Sequence, residues 1–325
     1  MQAARQNEVS FQQRPGGFEF FDYLLGFHRF QNLTERLECR PVTLPPNLIS
    51  DSSLAQETFD LLRRNGGRAT YTEIVDCVFR ISHAGAELAQ ALVSDLVRND
   101  PRFAIQDTHL VLSGEEPETK PLHEIEFVVL DVEAIVSRSL PPRIIELGGY
   151  RVRAGEIFDQ FETLVNPGVP LPPFIAALTG INEQMLAGAP TFMDVAAPWL
   201  AFASNAVLVA HNSMFDVPLL NQELARVYPG HRMRNAELCT VKLARQLMPQ
   251  LDSHNLDALA EHFGFEITQR HRAAGDALAT ARVLLRLLTQ LEALGVRTLA
   301  EARNVESRAD AQVASGGDLQ LALDV

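Results

Sequence analysis

An apolar run, Phe127-Val-Val-Leu130, ends directly on two carboxylates, Asp131 and Glu133, and this junction constrains the fold more than any other stretch of the chain. Consecutive apolar residues of this length read as a buried strand. Residues two apart on a strand share a face, so Asp131 and Glu133 project together while Val132 points the other way. Two further clusters follow in order, His211-Asn-Ser-Met-Phe-Asp216 and His271-Arg-Ala-Ala-Gly-Asp276. Carboxylates placed side by side repel, and one is driven toward protonation unless cations compensate. Asp131, Glu133, Asp216 and Asp276 together supply the acidic oxygen donors that two Mg²⁺ or Mn²⁺ ions require beside substrate phosphate oxygens and water. The chemistry this implies is metal-dependent phosphodiester hydrolysis.

Asp131-x-Glu133, His211-Asn212-x-x-Phe215-Asp216 and His271-Arg-Ala-x-x-Asp276 resemble the three motifs of the DnaQ-like (DEDDh) 3′–5′ exonucleases, the family of the proofreading epsilon subunit of bacterial DNA polymerase III. The resemblance covers roughly residues 124–292. It implies that Asp131, Glu133, Asp216 and Asp276 hold metal and that His271 is the general base. Imidazole suits that task because its ordinary pKa of about 6.5 lets it take a proton near neutral pH. A loop position would let His271 swing in when substrate binds. Asn212, Phe215 and Ala134 match positions that contact the terminal nucleotide or support the site, and Phe215 also fits a place in the core.

The chain departs from the family after its first motif. Thr-Thr-Gly or a close variant is usual there, and Ala134-Ile135-Val136 stands instead. Ala134 keeps the small size without the hydroxyl, while Ile135 and Val136 add bulk. The expected consequence is altered grip on the substrate, with the chemistry intact.

A length of 325 residues suggests two domains with tails, and 46% hydrophobic residues suffice for a proper core. No apolar run reaches the eighteen residues of a membrane span, and Met1–Glu8 lacks the apolar stretch of a signal peptide. Cys39, Cys77 and Cys239 are widely spaced and read as thiols in a reducing cytoplasm. The net charge of −13 argues against a broad duplex footprint. It is compatible with gripping a few nucleotides at a strand end, where bound metal reverses the local field.

Residues 1–50 read as an arm and linker, with an aromatic-rich segment, Phe18–Phe30, suited to packing or docking. Residues 51–113 show helical patterns at 54–64, 72–79 and 84–99, the second with Thr72 as a cap. A hairpin at 103–106 and 108–112 follows, so a small winged-helix-like α+β domain is expected. Its third helix carries few basic residues, which favours protein contact or structural use over DNA binding. A linker at 114–123 leads to an exonuclease domain at 124–296 of the ribonuclease-H-like, three-layer α/β/α kind. Its strands are expected at 127–130, 143–153, 158–165 and 206–210, and its helices at 173–178, 191–203, 214–227, 237–248, 255–263 and 274–294.

Residues 297–325 read as a mostly disordered tail. Its end, Gln320-Leu321-Ala322-Leu323-Asp324-Val325, resembles peptides that dock on the bacterial β sliding clamp, with Gln320, Leu321 and Leu323 as anchors. The expected partners are single-stranded DNA 3′ ends, together with the clamp or a DNA polymerase subunit. RNA 3′-end trimming needs the same metals and stays open, because 2′-OH contacts are not legible in one sequence. An inactive docking scaffold is the remaining alternative, disfavoured because every carboxylate is kept.

Overall fold

The computed structural model describes residues 44–113, 117–136 and 141–315. A short strand, β1 (Leu48–Ser50), opens it, followed by α1 (Ser53–Arg64), β2 (Arg68–Thr70), α2 (Tyr71–Cys77) and α3 (Ala86–Leu96). The hairpin β3 (Phe103–Gln106) and β4 (His109–Leu112) completes a small unit whose antiparallel sheet runs in the order β2-β4-β3. Leu62, Ile74, Val75, Val93 and Leu110 form its core. Thr70, not Thr72, caps α2, its hydroxyl accepting from Glu73 N at 3.2 Å, because the chain turns from β2 directly into the helix.

The larger unit contains β5 (Phe127–Ile135), β6 (Arg143–Arg153), β7 (Glu156–Leu164), α4 (Pro173–Thr179), α5 (Glu183–Ala187), α6 (Phe192–Ala203), β8 (Val207–Ala210) and α7 (Ser213–Val227). It continues with β9 (His231–Met233), β10 (Glu237–Cys239), α8 (Thr240–Leu247), α9 (Leu256–Phe263), α10 (Ala273–Ala293) and α11 (Leu299–Ser315). Five strands form one mixed sheet in the order β10-β8-β5-β6-β7, with β10, β8 and β5 parallel and β6 and β7 antiparallel to their neighbours. Parity along β5 builds the layers. Val128, Leu130 and Val132 pack with Trp199, Leu200, Val217 and Leu220 of α6 and α7. Phe127 and Val129 pack with Leu243, Leu259, Leu284 and Leu287 of α8, α9 and α10 on the other face. Helices thus cover both faces, the α/β/α arrangement expected.

Four expectations require correction. Residues 237–239 are strand rather than the start of a helix, because pairing with β8 buries Leu238 and Cys239 at the sheet edge. The presumed disordered tail is helical as far as Ser315, since Leu299 and Ala302 are fully buried in the α8–α10 core cluster. The arm is not wholly separate either: β1 pairs antiparallel with β9, Leu48 joins the α6–α7 core, and Asn47 Nδ2 donates to Leu200 O at 3.0 Å. The expected linker also packs down, with Leu122 buried and its N–H donating to Arg297 O at 2.8 Å. Phe18–Phe30 and the peptide Gln320, Leu321, Leu323 lie outside the described residues. Among the described residues, no helix is long and apolar enough to cross a membrane.

Candidate active site

The parity that sends Phe127 and Val129 toward α10 also sends Asp131 and Glu133 there, and Asp276 occupies the first turn of that helix. An oxygen of Glu133, an oxygen of Asp276 and a ring nitrogen of His271 all lie within 4.8 Å of one another. Asp216, in the first turn of α7, arrives at the carboxyl end of β8 from the other layer, and its Oδ1 accepts from Val132 N at 3.3 Å. Gly148 lets the start of α10 settle on β6, for a Cβ there would stand 2.5 Å from Ala273 C and Ala274 N.

Electrostatics report the crowding. Burial, then the charges of Asp216, Asp276 and Glu133, hold the Asp131 carboxyl well above the usual carboxylate range. Burial first and Asp276 second push Glu133 up to about 8. Burial pushes Asp216 up to about 7 against the Val132 N–H that favours its ionised form. Asp276 is also raised by burial, against the pull of Arg270. These directions say that the ionised carboxylates need positive charge nearby. One protein cation contributes: Arg270 Nε donates to Asp257 at 3.1 and 3.2 Å, and its Nη1 reaches Asp276 Oδ2.

The other expected residues divide. Asn212 is exposed, takes the left-handed backbone with φ of 81°, and precedes α7 as its N-cap. Phe215 is 40% exposed and so does not belong to the core, and its neighbour Met214 is 70% exposed. Ala134 needs correction, because its methyl packs in the α6–α7 core with Val132 rather than standing open to substrate. Ile135 likewise adds no bulk to the site: it is 1% exposed and packs against Leu171, Ile175, Ile181 and Leu186. Only Val136 of that segment is exposed.

His211 is half-buried, and its Nδ1 lies 2.9 Å from Thr240 Oγ1, tying the end of β8 to the start of α8. Burial, then Arg270, pulls its pKa down to about 4, so it is neutral near pH 7. Arg270, Glu146, Arg272 and Met214 were missed from sequence. Glu146 left a signal, a carboxylate inside the apolar run Ile144-Ile-Glu-Leu147, where a charge demands a partner.

Fold and site together define a ribonuclease-H-like exonuclease domain. The family model described as Exonuclease (RNase_T) matches residues 128–284. DNA polymerase III subunit epsilon of Aquifex aeolicus is 39% identical over 165 residues, covering 51% of this chain and 81% of that protein. DNA polymerase III PolC-type of Caldanaerobacter subterraneus subsp. tengcongensis is 36% identical over 203 residues, covering 62% of this chain. The chain spans only 14% of that PolC-type relative's length. A solved structure, Exonuclease X in complex with 5′ overhanging duplex DNA, is 27% identical with a TM-score of 0.44, covering 55% of this chain and 99% of that one. The chain belongs to the DEDDh-type 3′–5′ exonuclease family.

Proposed function

We propose that the chain is a metal-dependent 3′–5′ exonuclease that removes nucleoside 5′-monophosphates from DNA 3′ ends in proofreading or repair. The observation that carries this reading is the meeting of Glu133, Asp276 and His271 within 4.8 Å, with the charges of Asp216, Asp276 and Glu133 all bearing on Asp131. The residues fit a pair of divalent ions. The donors are hard carboxylate oxygens, as Mg²⁺ and Mn²⁺ prefer. The buried Asp276 Oδ1 finds no hydrogen-bond partner among the described residues. Asp131, Glu133, Asp216 and Asp276 would hold the two ions. When bound, they supply charge that favours the ionised carboxylates and polarises water and phosphate.

In this reading His271 takes the proton of the attacking water as its oxygen bonds to phosphorus. The bond from phosphorus to the 3′ oxygen breaks, leaving a shortened strand and a mononucleotide. Asn212 and Phe215, exposed beside Asp216, suit contact with the terminal nucleotide. The relatives named as DNA polymerase III components support DNA over RNA as substrate.

The test is release of mononucleotides from 3′- and 5′-labelled single-stranded DNA and RNA, with Mn²⁺ and with EDTA. Loss of label first from the 3′ end, dependence on metal, and abolition by Asp131→Ala in a folded protein are expected. Full activity in EDTA, or undiminished turnover by that variant, would sink the assignment. We further propose, on sequence alone, that Gln320, Leu321 and Leu323 dock on a β sliding clamp. A tether would then raise the enzyme's effective concentration at a primer end. Binding to purified clamp should vanish on deleting residues 320–325, and no binding by the intact chain at tens of micromolar overturns the idea.

A further inference from the structure

We propose that Glu146 and Arg272 are the positioning pair that fixes the turn carrying His271, an inference that rests on the exonuclease reading. Glu146 lies in the middle of β6, opposite Glu133 in the strand register, and is fully buried. A buried carboxylate is tolerated only when paired and hydrogen-bonded. Both needs are met by one short segment. Arg272 Nε donates to both carboxylate oxygens at 3.0 Å, its Nη2 reaches Oε1, and Ala273 N donates to Oε2 at 2.9 Å. With both oxygens engaged this way, Glu146 is not a fifth metal ligand, although it adjoins Glu133.

The pair replaces a missing cap. Arg272 is the N-cap residue of α10, yet its side chain makes no capping hydrogen bond, and Glu146 satisfies the Ala273 N–H from across the sheet. The turn ahead of it is demanding. Gln269 and His271 both take left-handed backbone, with φ of 59° and 60°. Side chains with a Cβ seldom hold that conformation unless their surroundings over-determine it. Three neighbours do so here. Arg272 is locked to Glu146, His271 N donates to Asp276 Oδ2 at 3.1 Å, and Gly275 admits the turn against the helix. A Cβ on Gly275 would stand 2.3 Å from Gln269 O.

In this proposal His271 is a base held ready at the metal-binding carboxylates, and the turn that carries it does not swing freely. A guanidinium fork is required, since only it matches both carboxylate oxygens while the peptide N–H is capped; an ammonium is a single point charge. Arg272 and Glu146 are positioning residues, acting through His271.

The experiment is a double-mutant cycle in the full chain with Mn²⁺ and a single-stranded DNA 3′ end. Arg272→Lys should lower kcat by about tenfold to a hundredfold, the scale of a misplaced catalytic group, with KM within about twofold. His271→Ala should lower kcat by about a hundredfold or more, and adding Arg272→Lys should then cost nothing further. Glu146→Gln, which keeps an acceptor for Ala273 N, serves as a second variant with an intermediate loss. Hydrogen exchange gives a readout independent of turnover: amides of residues 268–273 should exchange faster in either variant, with the α10 interior unchanged. Additive losses in the cycle, or unchanged exchange in the turn, overturn the proposal. An inactive wild type would instead overturn the exonuclease reading, and the exchange arm would still decide whether the pair orders the turn.

Discussion

Ile135 carries a consequence that its place in the sequence concealed. Aligned by motif it stands beside the substrate, yet the strand register turns it into the cluster of Leu171, Ile175, Ile181 and Leu186 that holds α4 and α5. The bulge beside it falls on β6, where Ile145 is the extra residue between the pairs Glu133–Glu146 and Ala134–Ile144, and Ile145 joins Ile135 in that cluster. Restoring Thr at 135 would therefore remove buried methyl groups and bury a hydroxyl. A loss of about 2 kcal/mol is expected, the scale of such core changes. For a unit of this size that lowers Tm by about 4–8 °C, since each kcal/mol moves it by roughly 2–4 °C. Calorimetry of Ile135→Thr checks this, and KM should change little. An unmoved Tm with an altered KM would return Ile135 to the substrate.

At the scale of elements, legibility followed locality. The runs ending at Asp131 and His211 announced β5 and β8, because a buried strand needs only its own side chains to be recognised. Thr191 announced α6 through its reciprocal capping with Asp194. β10 was hidden, for Glu237-Leu-Cys239 is strand only because β8 offers it an edge. So was α11, whose buried residues Leu299 and Ala302 are sparse among charged ones. A signal for it existed in Thr298-Leu-Ala-Glu301. Glu301 N donates to Thr298 Oγ1 at 3.3 Å, and Thr298 N donates to Glu301 Oε2 at 3.1 Å, a capping box. The carboxylates and His271 were legible as a spaced set. Of their supports only Glu146 stood out, as a charge in an apolar run; its partner Arg272 lies 126 residues away and meets it only through the packing of α10 on β6.

Stability of the whole molecule is coupled to the site through protons. Glu133 at about 8 and Asp216 at about 7 keep protons in the folded chain that an unfolded carboxyl, with a pKa near 4, has already lost. Where the folded state binds more protons, stability falls as pH rises, here between about 4 and 8. His211 works the other way at the acid end. Its pKa of about 4 lies below the unfolded value near 6.5, so its contribution is lost as pH falls through that interval. The range from about 6.5 to 8 therefore isolates the carboxylates. Metal-free protein in EDTA should lose Tm steadily across it. Mn²⁺ binds the ionised form, so its stabilising increment should grow across the same range, by mass action on the folded state. Binding at pH 7 should also release protons, which calorimetry in buffers of different ionisation enthalpy would detect. Asp131→Asn removes one of the repelling charges, so it should flatten the slope in EDTA while weakening the response to Mn²⁺. A Tm in EDTA that is level from pH 6.5 to 8, with a Mn²⁺ increment equally level, would show that the cluster does not hold these protons and does not exchange them for metal.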